Sequence, residues 1–268
     1  MKIKKITLKE NESEVYLTAY LPFSGDKSAD AILICPGGGY STVCDGHEGE
    51  AIAMAFSARG FRCFVLKYSV GEKAKFPAPL IEASLAIMHI KENAEAYGIN
   101  PERVFVMGFS AGGHLAGSLG TLWHKEWLNA HLDMPFGTNK PKGMILCYPV
   151  LSFFKETHIG TFRNAVGEEP NEKNTKEISL DLQVDSEHTV PTFLWHTVDD
   201  NAVHVENSLR MISALRKQGI YTEAHLYPHG NHGVGTADSV VYGKDAEKLD
   251  PKIKNWVDLA ADFMRTQE

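Results

Sequence analysis

The residues that most clearly suggest chemistry are Gly108-Phe109-Ser110-Ala111-Gly112. An apolar run, residues 104–107, precedes them, and residues with helical spacing follow. This order predicts a strand, a tight turn and a helix, with Ser110 held at the apex in a strained backbone conformation. Its hydroxyl group would project from the sheet edge, where the N–H of Ala111 at the helix N-terminus can stabilise an oxyanion. The pattern predicts a nucleophilic serine, although an ordinary glycine-rich turn has the same residue types.

A second glycine-rich segment, Pro36-Gly37-Gly38-Gly39-Tyr40, follows the apolar run at 31–35. Consecutive glycines allow the N–H groups of Gly38 and Gly39 to face a ligand that side chains would otherwise block. The segment matches a His-Gly-Gly-Gly oxyanion loop, with a proline in place of the histidine. A phosphate-binding loop is the alternative, but neither a following Lys-Ser/Thr nor a G-x-G-x-x-G spacing is present. We therefore predict an oxyanion hole formed by Gly38, Gly39 and Ala111.

An acidic pair, Asp199-Asp200, comes shortly after the predicted strand 192–196. We prefer Asp200 as the acid of a catalytic triad, because it lies three residues before Val203. This spacing allows the next helix to start while the carboxylate points back toward the serine. Asp199 is the alternative acid, and capping of the helix that begins near 203 is the alternative role of Asp200.

Two histidines lie in the glycine-rich loop that follows the predicted strand 222–227. A histidine in such a loop can act as general base and then as general acid, with a carboxylate fixing its tautomer. His232, which Gly233 follows, is preferred over His229. The chain has 12 histidines, so the position in the loop supports this choice more than the residue type does.

The elements that must position these residues alternate along the chain. Predicted strands are 2–8, 14–21, 31–35, 61–68, the strand from 103 to the serine, 144–148, 192–196 and 222–227; predicted helices are 48–59, 78–97, 111–122, 203–217 and about 253–264. This alternation predicts an α/β fold in which a mostly parallel central sheet has helices on both faces. The chain order serine, acid, histidine of the triad candidates is that of the α/β-hydrolase fold. The first two strands form an N-terminal antiparallel hairpin through a turn at 10–13. Each triad candidate then follows a strand at one sheet edge, in the chain order serine, acid, histidine.

Residues 151–190 interrupt the alternation with a polar segment rich in Glu, Asn and Lys. So long an excursion in a compact domain is usually a functional cap or a surface insertion. No linker or internal repeat is visible elsewhere. We therefore expect one domain over residues 1–268, with a cap-like insertion at about 151–190.

Composition excludes several classes of partner. The net charge of −7, without a Lys/Arg cluster, argues against nucleic acid. No apolar run reaches the roughly 20 residues that span a bilayer, and the N-terminus lacks a signal-peptide core. The four cysteines lack C-x-x-C spacing, no His/Cys/Asp cluster has metal-ligand spacing, and no cofactor fingerprint is present. We expect a cytoplasmic protein with reduced thiols, no metal, no cofactor and no membrane partner; a homo-oligomer is left open.

Several segments together resemble a known family. They are 77–116, 36–40 with 47–50, 193–200 with 205–209, and 232–235 with Trp256. These segments are similar to the acetyl-xylan-esterase-like branch of the α/β-hydrolases, and the resemblance covers nearly the whole chain outside 151–190. It implies hydrolysis of a small-molecule carboxylic ester of short acyl length, with acetylated sugars as the substrate class. It also implies Ser110 as nucleophile, His232 as base and Asp200 as the orienting acid.

Two other functions are compatible with the same residues. A peptidase or amidase can use this machinery, and a catalytically silent binding protein can keep the scaffold. Neighbouring polar residues have plainer interpretations. We interpret His114 as structural, and Glu48 and Glu50 as acids that favour the N-terminal dipole of the helix they open. His204 stands where the family commonly has a proline.

Overall fold

A computed structural model describes residues 1–8, 14–23, 28–153 and 158–267. The strands are β1 (Lys2–Thr7), β2 (Tyr16–Leu21), β3 (Ala29–Cys35), β4 (Arg62–Lys67), β5 (Ile99–Phe109), β6 (Met144–Cys147), β7 (Thr192–Thr197) and β8 (Thr222–Tyr227). Within these described residues they form one eight-stranded sheet in the order β1-β2-β4-β3-β5-β6-β7-β8. The predicted strands are confirmed.

The sheet has the predicted directions. β1 pairs antiparallel with β2, which pairs antiparallel with β4. All pairs from β4 through β8 are parallel. The turn predicted at 10–13 lies outside the described residues. Because the strands from β3 to β8 run in one direction, their carboxyl ends meet at one edge, where the serine, acid and histidine loops begin.

Helices cover both faces of the sheet. They are α1 (Ala51–Ser57), α2 (Ala78–Glu92), α3 (Ala94–Tyr97), α4 (Ala111–Leu122), α5 (Glu126–Asn129), α6 (Ile159–Val166), α7 (Glu172–Ile178), α8 (Glu206–Lys217), α9 (Ser239–Tyr242) and α10 (Trp256–Thr266). Side chains of α2, α4 and α8 pack with Val104 and Val106 of β5 on one face. Those of α1 and α10 pack with Phe105 and Met107 on the other. Residues 104–107 of β5 are therefore buried on both faces, which explains their continuous apolar run.

Four predicted helices differ from those observed, and one of them, predicted at about 253–264, begins as an α-helix at Trp256. The helix predicted at 78–97 is interrupted at Asn93, whose side-chain amide donates to the carbonyl of His89 at 2.8 Å and competes with the helical backbone. The helix predicted at 203–217 begins at Glu206, and the one predicted at 48–59 begins as a π-helical turn, Gly46–Glu50. None of the described helices is both long and apolar enough to span a bilayer.

Residues 151–153 and 158–190 of the predicted insertion are described; the longer part, 158–190, contains α6 and α7 and is called the cap segment below. Phe162 and Ile178 are buried in a separate apolar cluster with Val150, Phe153 and Val203. These contacts fix the cap segment beside the carboxyl edge of the sheet. The arrangement as one domain with an insertion stays a prediction.

Candidate active site

Ser110 lies at the turn between β5 and α4, with φ 53° and ψ −118°. The glycines on either side of it are required by close backbone contacts. A Cβ at Gly108 would lie 2.0 Å from the carbonyl oxygen of Gly112, and a Cβ at Gly112 would lie 2.1 Å from that of Cys35. The Ser110 N–H donates to the carbonyl of Cys147 at 3.1 Å. Packing on both sides therefore maintains the strained serine conformation that the sequence predicts.

The structure brings the serine, acid and histidine candidates together. His232 Nε2 lies 2.8 Å from Ser110 Oγ, and His232 Nδ1 lies 2.7 Å from Asp200 Oδ2. Since a carboxylate only accepts, Nδ1 carries the proton and Nε2 accepts from the serine hydroxyl. The imidazole is therefore oriented to take the Ser110 proton.

The alternative acid and histidine pair with each other at the surface instead. His229 Nδ1 lies 3.2 Å from Asp199 Oδ2, and the His229 side chain is 81% exposed. Asp200, by contrast, has a fully buried side chain, and its Oδ1 accepts from the N–H groups of Ala202 and Val203. Asp200 thus caps this turn and binds His232 at the same time.

His196, at the end of β7, supports the acid from behind. Its Nε2 donates to the carbonyl of Val203 at 2.9 Å and lies 3.3 Å from Asp200 Oδ2. Burial raises the pKa of Asp200, but hydrogen bonds from His196 and His232 outweigh burial and hold that pKa well below its usual range. Asp200 therefore stays ionised across ordinary pH. Sequence reasoning missed His196, and its position three residues before the acidic pair was the one available signal.

The predicted oxyanion loop adjoins the nucleophile. A Cβ at Gly37 would lie 2.9 Å from Ser110 Cβ, so the loop backbone passes directly beside the serine. Gly38 has φ +124°, a conformation that side chains rarely adopt. In the part of the chain that the structure describes, no protein acceptor is seen for the N–H groups of Gly38, Gly39 and Ala111. These donors are free to bind a developing negative charge.

Glu48 lies in the first helical turn, as the sequence suggested, but it also has partners that the sequence did not indicate. The side chain is 3% exposed, and its carboxylate accepts the Gly37 N–H and the Tyr148 hydroxyl, each at 2.8 Å. The carboxylate thus lies behind the oxyanion loop rather than at a solvated helix end. Glu50, the other acid of this turn, is exposed.

The cap segment contacts the oxyanion loop directly. Asn164 Nδ2 donates to the carbonyl of Gly39 at 2.8 Å. His158 accepts the Thr161 N–H at Nδ1, which leaves Nε2 as its proton-bearing nitrogen. Burial, then the nearby His232, lowers the pKa of His158, which therefore stays neutral beside the candidate site. The half-buried His158 is a hydrogen-bond donor that sequence reasoning did not find.

His114 is structural, as interpreted from the sequence. Its Nε2 donates to the carbonyl of Ile178 at 2.9 Å, and its Nδ1 accepts from the Tyr40 hydroxyl at 3.0 Å. Burial lowers the pKa of His114 to about 4. A neutral imidazole thus links the cap segment to the end of the oxyanion loop.

Among the residues that the structure describes, two groups of metal-binding residue types come together although their sequence spacing did not indicate it. They are Cys44 with His47 and Glu48, and His124 with Asp185 and His188, each with ligand atoms within 4.8 Å of one another. The rings of His124 and His188 stack at 3.8 Å and 17°, so one ion cannot lie in both ring planes. Glu48 already accepts two hydrogen bonds. The expectation of no metal stays a prediction.

Comparison with known proteins identifies the family. A family model described as BD-FAE matches residues 17–215. The chain belongs to the BD-FAE family. It is an α/β-hydrolase by fold, and the eight-stranded sheet formed by the described residues has the strand directions predicted for that fold.

Named relatives are enzymes that act on esters or on xylan. The chain is 37% identical over 227 residues to endo-1,4-beta-xylanase B of Butyrivibrio fibrisolvens, covering 83% of this chain and 35% of that protein. It is 30% identical over 261 residues to acetylxylan esterase of Xylanibacter ruminicola, covering 95% of this chain and 50% of that protein. The chain therefore spans half the length or less of these two relatives.

A solved structure matches over nearly the full length. The acetyl ester-xyloside bifunctional hydrolase from Caldicellulosiruptor lactoaceticus has a TM-score of 0.80 and 35% identity, and the match covers 96% of each chain. Two of these relatives, the acetylxylan esterase and the acetyl ester-xyloside hydrolase, carry the names of ester-cleaving enzymes.

Proposed function

We propose that this protein is a serine carboxylesterase that hydrolyses short-acyl esters through an acyl-enzyme. The observation that carries the proposal is the hydrogen-bonded series from Ser110 through His232 to the buried Asp200, at 2.8 and 2.7 Å. A serine hydroxyl is a weak nucleophile until an adjacent base accepts its proton, and this series supplies that base and orients it.

In the first half of the reaction, Ser110 Oγ attacks the ester carbonyl carbon while His232 Nε2 takes the hydroxyl proton. The carbonyl π-electrons move to oxygen, and the N–H of Ala111 with that of Gly38 or Gly39 stabilises this oxyanion. The carbonyl then re-forms, the bond to the alcohol oxygen breaks, and His232 donates its proton to the departing alcohol. Ionised Asp200 stabilises the imidazolium between these two proton transfers.

In the second half, water attacks the acyl-serine carbonyl while His232 Nε2 takes a proton from it. A second oxyanion forms in the same hole and collapses, and the bond between the acyl carbon and Ser110 Oγ breaks. His232 returns the proton to the serine, and the carboxylic acid leaves. No residue changes its net protonation over the cycle.

Acetylated sugars or xylo-oligosaccharides are the proposed substrates. The relatives include an acetylxylan esterase and an acetyl ester-xyloside hydrolase. The cap segment adds polar side chains beside the site, among them His158 with its protonated Nε2 and Asn164 against the oxyanion loop. Such donors suit an alcohol that carries hydroxyl groups better than a long aliphatic chain.

The test compares the wild-type protein with Ser110→Ala across p-nitrophenyl esters of increasing acyl length and then across acetylated xylo-oligosaccharides. We expect kcat/KM to be highest for acetate, to fall with chain length, and to vanish in the variant. A wild type no faster than the folded variant on every ester would refute the proposed function. A preference for long acyl chains would refute only the short-acyl assignment.

A further inference from the structure

Glu48 is a buried acid that the proposed mechanism does not use. It lies between β3 and α1 in the π-helical turn, with its side chain 3% exposed. Burying a carboxylate is costly unless hydrogen bonds replace the lost water. His47 Nε2 lies 4.0 Å from Glu48 Oε1, beyond hydrogen-bond distance. The groups that donate hydrogen bonds to the Glu48 carboxylate therefore stabilise it in this buried position.

Those donors belong to two different loops of the site. Oε2 accepts the N–H of Gly37 at 2.8 Å. Gly37 itself lies between the carboxylate and the nucleophile, since a Cβ there would lie 2.7 Å from Glu48 Oε2 and 2.9 Å from Ser110 Cβ. The carboxylate thus fixes the backbone one residue before the first predicted oxyanion donor, Gly38.

The other oxygen reaches the histidine loop. Glu48 Oε1 accepts the hydroxyl of Tyr148 at 2.8 Å, and that hydroxyl oxygen accepts the N–H of Gly235 at 3.1 Å. The Tyr148 ring also packs edge-on against His232, with 5.1 Å between ring centroids. Burial, then the charge of Glu48, raises the pKa of Tyr148 well above its usual value, so the phenol stays protonated and donates.

We propose that Glu48 is a positioning residue that holds the oxyanion loop and the His232 loop in one arrangement around Ser110. The inference rests on the proposed function, because it assigns Glu48 to that same site. A negative charge close to an oxyanion opposes the oxyanion by itself. The contribution of Glu48 therefore comes from its geometry: two acceptor oxygens held at a fixed separation between two donors.

Two substitutions separate geometry from charge. In Glu48→Gln the carboxamide oxygen can still accept the Gly37 N–H, which cannot turn away, while the amide group faces Tyr148. This variant therefore removes the acceptor of the Tyr148 hydroxyl, whereas Tyr148→Phe removes that contact and also the acceptor of the Gly235 N–H. Glu48→Ala removes both contacts. Glu50→Gln, a change of the exposed acid two residues on, is the matched control.

The experiment measures kcat and KM with p-nitrophenyl acetate, the rate at which a small fluorophosphonate labels Ser110, and the thermal midpoint of each variant. We expect kcat to fall about 10-fold in Glu48→Gln and about 100-fold in Glu48→Ala, because misplaced oxyanion donors lose transition-state stabilisation. KM should change less than about threefold, since the donors act mainly on the transition state. Labelling rates should fall with kcat. Tyr148→Phe should be at least as slow as Glu48→Gln, and the double variant should be no slower than Tyr148→Phe alone. Glu50→Gln should match the wild type.

Other results would overturn the inference. If Glu48→Ala is labelled and hydrolyses ester at the wild-type rates, the two loops keep their arrangement without the Glu48 carboxylate. Glu48→Gln faster than the wild type shows that charge repulsion outweighs positioning. A loss of kcat that only follows loss of folded protein shows a merely structural role. If the wild type is labelled rapidly but hydrolyses no ester, the proposed function fails, and the labelling rates alone decide the role of Glu48. If the wild type is neither labelled nor active, both proposals fail.

Discussion

Replacing Asp200 by asparagine tests how the histidine is oriented. The carboxylate accepts from His232 Nδ1 at 2.7 Å and from the N–H groups of Ala202 and Val203. In Asp200→Asn the carboxamide oxygen can keep the two backbone donors, so its NH2 group faces His232. The imidazole must then accept at Nδ1 and carry its proton on Nε2. That proton points at Ser110 Oγ, and the histidine can no longer act as base.

The size of the effect follows from this change of tautomer. The Asp200 side chain is fully buried, so no water can replace the lost acceptor. A triad whose histidine has the wrong tautomer loses about 10⁴ in kcat, or about 5 kcal/mol of transition-state stabilisation. We expect a loss of this order in Asp200→Asn. The fold should be kept, because the side chain has the same shape.

The neighbouring acid supplies the control. Asp199→Asn removes a similar hydrogen bond to a histidine, His229, in a pair whose side chains are 81% and 50% exposed. Exposed pairs of this kind contribute little, about 0 to 1 kcal/mol, and this pair lies outside the proposed proton path. The kcat of Asp199→Asn on p-nitrophenyl acetate should stay within about twofold of the wild-type value.

Steady-state kinetics on both variants, with circular dichroism to check folding, decides the matter. A folded Asp200→Asn that retains more than about a tenth of the wild-type kcat would refute the orienting role. Equal losses in the two variants would also refute it, because the reasoning depends on the buried acid alone.

The remaining predictions concern two other histidines. The pKa of His114 is about 4 in the fold against 6.5 in the unfolded chain, so its stabilising contribution is complete above pH 6.5, falls as the pH drops toward 4, and is gone below. The free energy of unfolding should therefore fall by about 3 kcal/mol over this pH range. Urea unfolding of His114→Gln should show a free energy of unfolding that depends less on pH than that of the wild type. An equal dependence in the two proteins would contradict the prediction. His158→Ala should raise KM for acetylated xylo-oligosaccharides about fivefold, because one hydrogen bond to the sugar is lost. KM for p-nitrophenyl acetate, which has no sugar, should be unchanged. Equal changes in KM for both substrates would contradict a contact between His158 and the sugar.

Much of the fold could be predicted because local sequence and global fold agree. The strands of the parallel region are buried on both faces and read as continuous apolar runs, as 104–107 does in β5. The tight turn at Ser110 needs glycines at 108 and 112, because a Cβ at either position would clash with a backbone carbonyl oxygen. Helix boundaries were less accurate, because side-chain hydrogen bonds such as that of Asn93 decide them.

The supporting residues of the site could not be predicted, since their partners are distant in sequence. Glu48 bonds Tyr148, 100 residues away, and Asn164 bonds Gly39, 125 residues away. No spacing rule connects such pairs. Glu48 in particular has the sequence context of an ordinary acid at a helix start, and only its burial distinguishes it from Glu50.

Several expectations stay predictions. They concern the catalytic roles of the site residues, the cytoplasmic location, the reduced state of the cysteines, the absence of metal and cofactor, and the state of association. Cys35, Cys44, Cys63 and Cys147 are free in the structure.

Trapping the acyl-enzyme tests the central claim most directly. The protein is mixed with p-nitrophenyl acetate, quenched in acid during turnover, digested and analysed by mass spectrometry. The account predicts one added acetyl group on the peptide that contains Ser110, absent from Ser110→Ala and slower to form in Asp200→Asn. Acetate released at the wild-type rate by Ser110→Ala, or an acetyl group found on another residue during productive turnover, would contradict it.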